Sequence, residues 1–448
     1  MYPKIQLIRC PVDDPSIGAD QWNMPLDLLS VCSDIYEDCY VEILDGTLLS
    51  IDEIYNKIDP LSSCVGFTYT ALSSLSLKYL AETAKNNGSL VIIGGQPAIA
   101  SAKSLIEEHC IDAVCIGDGE ATMRSISCQL LYGDVDLRLV PNIIFKSEGR
   151  IVHTLVEDTD VWNKRYNDRT YGSLNPDKYF IKYPVTNTLL NMRGDRATNI
   201  YSKRGCYRYC SFCARQDKKF RLRNPEYVAE ELRYLVDEYN VDYILDTSDT
   251  WVSDEWVNKF SIEKNKRNLN DLGLMVFADV RDITNKVSDN MKICGIDSVL
   301  LGVESGSEKI LNRNNKRMTK IQIINAVENL VRNNIRVSCS FVLGQLDEDD
   351  DSICDTIELT EVLNQMTGVL CYGNVIIPLR GSQLWGEAFP SEKKWPTFIT
   401  RAIDYNMDMV RQLYVSQNLK VSGGLKTLED ACKTILKAGN LSVKEYAR

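Results

Sequence analysis

Histidine is almost missing from this chain: there are two in 448 residues, His109 and His153. No run of 18 uncharged apolar residues exists, so no segment offers a bilayer-spanning helix. The start, Met1-Tyr2-Pro3-Lys4-Ile5, lacks the basic region and long apolar stretch of a secretory signal, which predicts a cytoplasmic protein. Positive charge is also short. Lys and Arg number 51 against 62 Asp and Glu, a net charge of −11, and this disfavours nucleic acid as a substrate. The basic run Lys218-Lys219-Phe220-Arg221-Leu222-Arg223 reads as a solvated loop. Cysteine, by contrast, is plentiful. Fifteen of them without a secretion signal imply reduced thiols rather than a disulfide framework. Hydrophobic residues at 44% and charged residues at 25% describe an ordinary globular protein, long enough for two domains.

Three cysteines stand together in Ser202-Lys203-Arg204-Gly205-Cys206-Tyr207-Arg208-Tyr209-Cys210-Ser211-Phe212-Cys213. The spacing C-x3-C-x2-C is too tight for strain-free disulfides, and thiolates at this density hold a soft metal centre. A [4Fe–4S] cube takes four cysteine ligands; three are offered, so one iron is left open. The competing readings are a zinc knuckle or three buried cysteines. Zinc asks for four ligands, and neither histidine lies nearby. The scattered cysteines Cys10, Cys32, Cys39, Cys64, Cys294, Cys339, Cys354, Cys371 and Cys432 have no ligand spacing and read as small buried hydrophobes.

The first third alternates strands and helices. Ile5–Ile8, Val41–Asp45, Cys64-Val65-Gly66-Phe67, Leu90–Ile93 and Ala113–Ile116 read as strands. Ser50 with Glu53 opens a helix through a capping box, and Ser74–Asn87 and Ala100–His109 are helical in pattern. Such alternation predicts a doubly wound, Rossmann-like parallel sheet. Its ligand crevice lies at the carboxyl ends of the strands. Three loops fall there: Thr68-Tyr69-Thr70-Ala71, Gly94-Gly95-Gln96-Pro97 and Gly117-Asp118-Gly119-Glu120. Pro141–Phe145, Glu148-Gly149-Arg150 and Ile151-Val152 form a small hairpin pattern.

A polar connector near 154–194 leads to six βα units over 195–388. Strands are expected at Ala197–Tyr201, Tyr243–Leu245, Leu274–Phe277, Ser298–Leu301, Val337–Leu343 and Val369–Ile377. Asn224-Pro225 starts one helix and Thr319 with Gln322 caps another. Others are expected near 254–263, 288–294 and 306–313. Together they predict a partial (β/α)6 barrel of TIM type, with functional residues at the strand carboxyl ends. Residues 389–448 read as amphipathic helices. Trp385, Trp395 and Tyr405 line a substrate pocket on one reading, and pack as a cap on the other.

On Arg204-Gly205-Cys206, Cys210, Phe212 and Cys213, and on the strand-end segments that follow, residues 195–388 resemble the radical S-adenosylmethionine (SAM) core. Those segments are Asp246-Thr247-Ser248-Asp249, Gly302-Val303-Glu304-Ser305-Gly306-Ser307-Glu308 with Leu311 and Lys316, and Phe341-Val342-Leu343-Gly344. Residues 1–153 resemble the cobalamin-binding domain that precedes many such cores. The resemblance implies cluster ligation by Cys206, Cys210 and Cys213, with SAM on the open iron. It implies SAM contacts at Phe212, Asp246, Thr247, Ser248, Asp249, Glu304, Ser305, Leu343 and Gly344. Cobalamin contacts would be Thr68, Tyr69, Thr70, Gly94, Gly95, Gln96, Pro97, Gly117, Asp118, Gly119 and Glu120.

Two departures stand out. The Asp-x-His-x-x-Gly cobalt-ligand motif is absent, and Gln345-Leu346-Asp347-Glu348 replaces a Pro-Gly turn. The reaction implied is reductive cleavage of SAM to a 5′-deoxyadenosyl radical, leading to cobalamin-dependent C-methylation of a small molecule or peptide. A flavodoxin or ferredoxin would supply the electron. Rearrangement, cyclisation or oxidation without methyl transfer is the rival, and an iron–sulfur sensor or SAM-binding protein without turnover is the rival of another class. On the plainer reading Glu304 caps a helix, Asp246 and Asp249 are turn residues, and the first domain has lost its ligand or serves for docking.

Overall fold

The computed structural model describes residues 2–446 except 14–22, 71, 175, 180–193, 195, 216, 252–253 and 391–406. Trp395 and Tyr405 lie outside the described residues. The chain forms two compact units. One comprises Met1–Tyr179, Ala214–Asp217 and Leu379–Met409; the other comprises Phe180–Cys213, Lys218–Pro378 and Val410–Arg448. Among the described residues no helix is long and apolar enough to cross a membrane.

In the first unit, β1 (Lys4–Arg9), β2 (Tyr40–Asp45), β3 (Cys64–Thr68), β4 (Leu90–Gly94) and β5 (Ala113–Cys115) are parallel. The hairpin β6 (Ile143–Ser147) and β7 (Arg150–His153) adds an antiparallel edge. The order is β2-β1-β3-β4-β5-β6-β7. The chain therefore reverses its winding direction between β1 and β3, which places the crevice of a doubly wound sheet there. The continuous apolar runs bury both faces of the central strands, with Val65, Val91, Ile93 and Val114 fully enclosed.

The helices of this unit are α1 (Leu26–Ile35), α2 (Ile51–Lys57), α3 (Ser74–Asn86), α4 (Gln96–Leu105), α5 (Gly119–Leu130) and α6 (Asp168–Gly172). Helix α1 packs on α5, and α2 on α3. The capping box of Ser50 and Glu53 is formed. Helix α4 begins four residues before the expected Ala100, because Gln96 and Pro97 enter its first turn. The Gly119-Glu120 pair opens α5 rather than prolonging a loop. The polar connector is fastened to this unit. Thr159 N donates to Asp118 at 2.8 Å, Lys164 pairs with Asp34, and Tyr179 Oη donates to Asp45 at 2.5 Å.

The second unit carries six parallel strands. They are β8 (Ala197–Ile200), β11 (Tyr243–Asp246), β12 (Gly273–Asp279), β13 (Ile296–Glu304), β14 (Arg336–Leu343) and β15 (Val369–Val375), neighbours in that chain order. Monotonic order with a helix after each strand is the open (β/α)6 barrel expected. Its helices are α7 (Pro225–Tyr239), α8 (Asp254–Lys266), α9 (Asn285–Ile293), α10 (Glu308–Arg313), α11 (Lys320–Arg332) and α12 (Asp350–Asn364). Asn224 caps α7 with Pro225 at its first position, and Thr319 with Gln322 boxes α11. Between β8 and α7 a short ribbon, β9 (Lys203–Arg204) against β10 (Arg221–Leu222), closes the base of the cysteine loop. Helices Met407–Asn418 and Leu425–Tyr446 follow, and the second of them packs on β15 and α12. Of the scattered cysteines, Cys354 departs from expectation and is exposed on α12, and Cys432 is half-buried.

Candidate active site

The cysteine loop has a rigid root. Ser202 and Lys203 are buried, and Asp246 at the end of β11 organises them. Asp246 accepts from Ser202 N at 3.1 Å, from Ser248 N at 3.1 Å, from Ser248 Oγ at 2.5 Å and from Ser202 Oγ. Ser248 Oγ in turn accepts from the backbone of Ser202 and Lys203 at 3.0 and 2.8 Å. Lys203 Nζ reaches Ser202 Oγ at 2.6 Å and sits 3.6 and 4.0 Å from the ring centres of Trp251 and Trp256. Burial pulls its pKa down to about 8, against the pull of Asp246. On the return strand Arg223 is fully enclosed, pairs with Glu231 at 2.6 Å and donates to Tyr201 O at 2.8 Å.

Beyond the root the loop turns outward. Gly205 has φ +85°, a conformation that suits glycine, and its N–H donates to Asp249 Oδ2 at 2.9 Å. Cys206, Cys210 and Cys213 are each half-buried, unlike most of the other cysteines. Asn314 and Asn315 hold the loop either side of Cys210. Ser211 N donates to Asn314 O at 3.3 Å, Ser211 Oγ to Asn314 Oδ1 at 2.5 Å, and Asn315 Nδ2 to Tyr209 O at 3.1 Å. Tyr207 Oη and Arg208 both donate to Asp282, at 3.1 and 2.5 Å.

Behind Cys210 lies a buried charge network. Asp279, at the end of β12, takes a two-pronged contact from Arg281 at 2.7 Å on each side. Lys316 Nζ reaches Asp279 at 3.1 Å, Glu304 at 3.2 Å and Gly302 O at 3.0 Å. Burial opposes ionising Asp279, but the Arg281 hydrogen bond and the Lys316 charge hold it well below the usual carboxylate range. Burial likewise opposes the Lys316 charge, and Glu304 and Asp279 outweigh it, so the ammonium is raised.

These contacts sort the expected SAM residues. Asp246 and Ser248 are enclosed by their own chain. Ser305 is buried, with Thr356 Oγ1 at 3.2 Å. Thr247 donates to Ile200 O from both N and Oγ1. Leu343 is buried, and Gly344, at φ +87°, receives Tyr414 Oη on its carbonyl at 2.8 Å. Phe212, Asp249 and Glu304 stand beside the loop or at its strand ends, with Glu304 held at φ +73° across a bulge in β13. Asp279 and Arg281 were not singled out by sequence reasoning. The available signal was two charged residues directly after an apolar strand.

In the first unit, Thr68 Oγ1 donates to Asp27 at 2.7 Å, Tyr69 Oη meets Ser74 Oγ at 3.2 Å, and Thr70 Oγ1 meets Ser73 Oγ at 2.9 Å. Gly95, at φ +102°, is exposed, and a Cβ there would lie 2.6 Å from Tyr69 O. A Cβ on Gly94 would meet nothing closer than 3.9 Å. A Cβ on Gly117 would strike Asn142, and one on Gly119 would press on Val31. Asp118 and Glu120 are occupied internally, Glu120 by Ser30 and Thr159. All three loops keep partly exposed residues at the crevice edge: Thr68 and Thr70 after β3, Gly94, Gly95, Gln96 and Pro97 after β4, and Gly117, Asp118 and Gly119 after β5, whereas Tyr69 and Glu120 are buried.

The radical SAM superfamily model matches residues 200–360. Residues 200–360 thus carry a radical SAM domain. A radical SAM enzyme takes a [4Fe–4S] cluster and SAM, acts on a substrate and needs a reductant. The donor set fits: three thiolates on one anchored loop, each able to take its own iron.

The chain is 28% identical to an uncharacterized methyltransferase of Pyrococcus horikoshii, over 81% of this chain and 77% of that one. It is 26% identical to the anaerobic magnesium-protoporphyrin IX monomethyl ester cyclase of Rubrivivax gelatinosus, over 70% of this chain and 57% of that one. Its fold is similar to the structure of the radical SAM methyltransferase TsrM from Kitasatospora setae with cobalamin and a [4Fe–4S] cluster bound. There the TM-score is 0.69 at 14% identity, covering 87% of this chain and 75% of that one. It is also similar to the cobalamin-dependent radical enzyme OxsB with aqua-cobalamin and SAM bound, with a TM-score of 0.66 at 18% identity, covering 82% of this chain and 53% of that one.

Proposed function

We propose that this radical SAM enzyme methylates a carbon of a small molecule or peptide with the help of cobalamin. The observation that carries the reading is the pairing of two units: a sheet ordered β2-β1-β3-β4-β5 ahead of a six-stranded radical SAM barrel. Its likeness to TsrM and OxsB across both units, and to a methyltransferase of Pyrococcus horikoshii, supports it. Cys206, Cys210 and Cys213 hold the cluster. Phe212, Asp249, Glu304 and the Gly344 backbone face SAM, while Asp246, Ser248 and Ser305 keep the loops in place. Thr68, Tyr69, Thr70 and Gly94–Pro97 form the cobalamin cradle at the β1/β3 crevice. His109 follows α4 and His153 ends β7, so neither stands at that edge as a cobalt ligand.

When bound, the cluster and SAM supply a radical by one-electron cleavage of the sulfonium, and cobalamin supplies a methyl group. The protein's part is to orient these groups and exclude water. Flavodoxin or ferredoxin is the electron donor assigned here.

The test is anaerobic loading with iron, sulfide and cobalamin, then dithionite and methyl-labelled SAM. The expected result is retained corrinoid that acquires labelled methyl, together with 5′-deoxyadenosine. Loaded cluster and 5′-deoxyadenosine without any retained corrinoid would overturn methylation. It would favour the second reading, a ring-forming or oxidative reaction, which the cyclase of Rubrivivax gelatinosus supports.

A further inference from the structure

We propose that the concave face of the barrel sheet binds a neutral, unsaturated ring with hydroxyl or amide groups along one edge, and that this ring is the part of the substrate presented to the radical. The inference rests on the radical SAM reading of this unit. Strand register fixes which side chains share the face. Phe277 stands beside Leu300, Leu300 beside Ser338, Ser340 beside Tyr372, and Val342 beside Asn374; alternation puts Ser338, Ser340 and Val342 on one side. Phe277 and Leu300 pack against Ala197, Tyr243, Leu245 and Met275, and every member of that cluster lies on a strand. The other side belongs to the helices: a Cβ on Gly373 would lie 3.3 Å from Cys432 Sγ and from Ile435, in the helix Leu425–Tyr446. Tyr372 and Asn374, its two neighbours, therefore turn toward the concave side. Phe277, Leu300, Ser340, Val342 and Tyr372 are partly open and Asn374 is exposed, while Leu245, Met275 and Ser298 beneath them are buried. The opening thus has walls and a floor.

The walls are divided. Phe277 and Leu300 offer carbon on one side, and Ser340 and Asn374 offer a hydroxyl and an amide on the other, with the Tyr372 ring beside them. The charged side chains at the two ends of the face are engaged with one another. Below, Arg336 pairs with Asp297 at 2.7 Å, and Tyr243 Oη donates to the same carboxylate at 2.6 Å. Above, Lys316 lies between Asp279 and Glu304, at 3.1 and 3.2 Å. A charged guest would lose its water there and meet charges that already have their opposites, which is costly. A neutral ring pays no such cost: its face gains contact with Phe277 and Leu300, and its polar edge replaces water at Ser340 and Asn374. Apolar walls with a few placed polar groups are the usual make-up of a small-molecule site.

The probes are toluene, p-cresol, p-toluate and p-methylbenzylamine, read by saturation-transfer NMR on the full chain loaded anaerobically with iron and sulfide. Toluene and p-cresol are expected to bind saturably, and the anion and the ammonium about tenfold more weakly than p-cresol. Leu300→Trp, which fills the opening, is expected to abolish binding of both neutral probes. Ser340→Val combined with Asn374→Leu keeps the volume and is expected to weaken p-cresol about fivefold while leaving toluene unchanged. Absence of p-cresol binding, equal binding of a charged probe, or binding that survives Leu300→Trp overturns the proposal. In the double variant, any result other than a selective loss of p-cresol overturns it as well, and this variant decides alone should Leu300→Trp not fold by circular dichroism. Cluster content and 5′-deoxyadenosine formation of the wild type are measured first. Their absence sinks the radical SAM reading of the site, whereas an active cluster with the wrong probe preference sinks only the ring pocket.

Discussion

Glu348 is buried in the turn after β14, with Oε2 accepting from Gly344 N and from Gln345 N at 3.1 Å. Its Oε1 is enclosed with no hydrogen-bond partner. Burial pushes the acid up from its ordinary 4.5 to about 7, outweighing the two backbone bonds. Between those values the folded chain keeps a proton that the unfolded chain has released. Stability therefore falls as pH rises through this window, by roughly 3 kcal/mol in all. Glu348→Gln is expected to lose that slope and to be the more stable protein at pH 8, as read from urea unfolding at pH 5 and pH 8. The same turn shows what a single residue can hide. Asp347 stands at φ +65°, the conformation a Pro-Gly turn reserves for glycine. The sequence pattern suggested a lost turn; the backbone keeps its shape with an aspartate in the strained place.

At the scale of elements, Gly205 is the hinge between a buried ribbon and an open loop. Alanine at φ +85° costs about 1–2 kcal/mol, and relief of that strain would pull Gly205 N from Asp249 and displace Cys206. Gly205→Ala is expected to fold with a small loss in melting temperature but to bind clearly less iron and sulfide per chain. Unchanged cluster content would show that the left-handed turn is not needed.

Strand positions and both capping boxes were legible because apolar runs and cap residues are local signals. The start of α4 was not, since Pro97 read as a turn although proline also suits a helix's first turn. Helix α5 was missed because Gly119 read as a loop glycine, although it opens the helix. The Asp279–Lys316 contact joins residues 37 apart in sequence, and no periodicity reports such a pair. Asp246 was legible as a strand-end acid, but its enclosure by Ser202 and Ser248 depends on the fold.

At the scale of the molecule, the two proposed cofactor sites call on different residues and should fail separately. A Cβ on Gly94 meets nothing closer than 3.9 Å, so Gly94→Trp is expected to fill the proposed cradle and to keep the fold, as checked by circular dichroism. It is expected to abolish corrinoid retention and keep full iron content. Cys213→Ala should give the reverse, losing the cluster absorbance and 5′-deoxyadenosine formation while still retaining cobalamin. Loss of both by either substitution would contradict the assignment of sites. The order of a doubly wound domain before a barrel was readable from strand–helix alternation. The attachment of Thr159, Lys164 and Tyr179 to the first unit was not, because a polar stretch carries no mark of what it will bond.

None of the groups that anchor the root of the cysteine loop is itself a metal ligand. Asp246, Ser248, Lys203 between its two indoles, and the Arg223–Glu231 pair hold Ser202 and its neighbours whatever sits farther out. Air or a chelator should therefore be able to strip this protein without unravelling it. Fresh iron and sulfide under argon should then restore the original spectrum with no cycle through denaturant, so that damage by oxygen is a reversible emptying rather than a death.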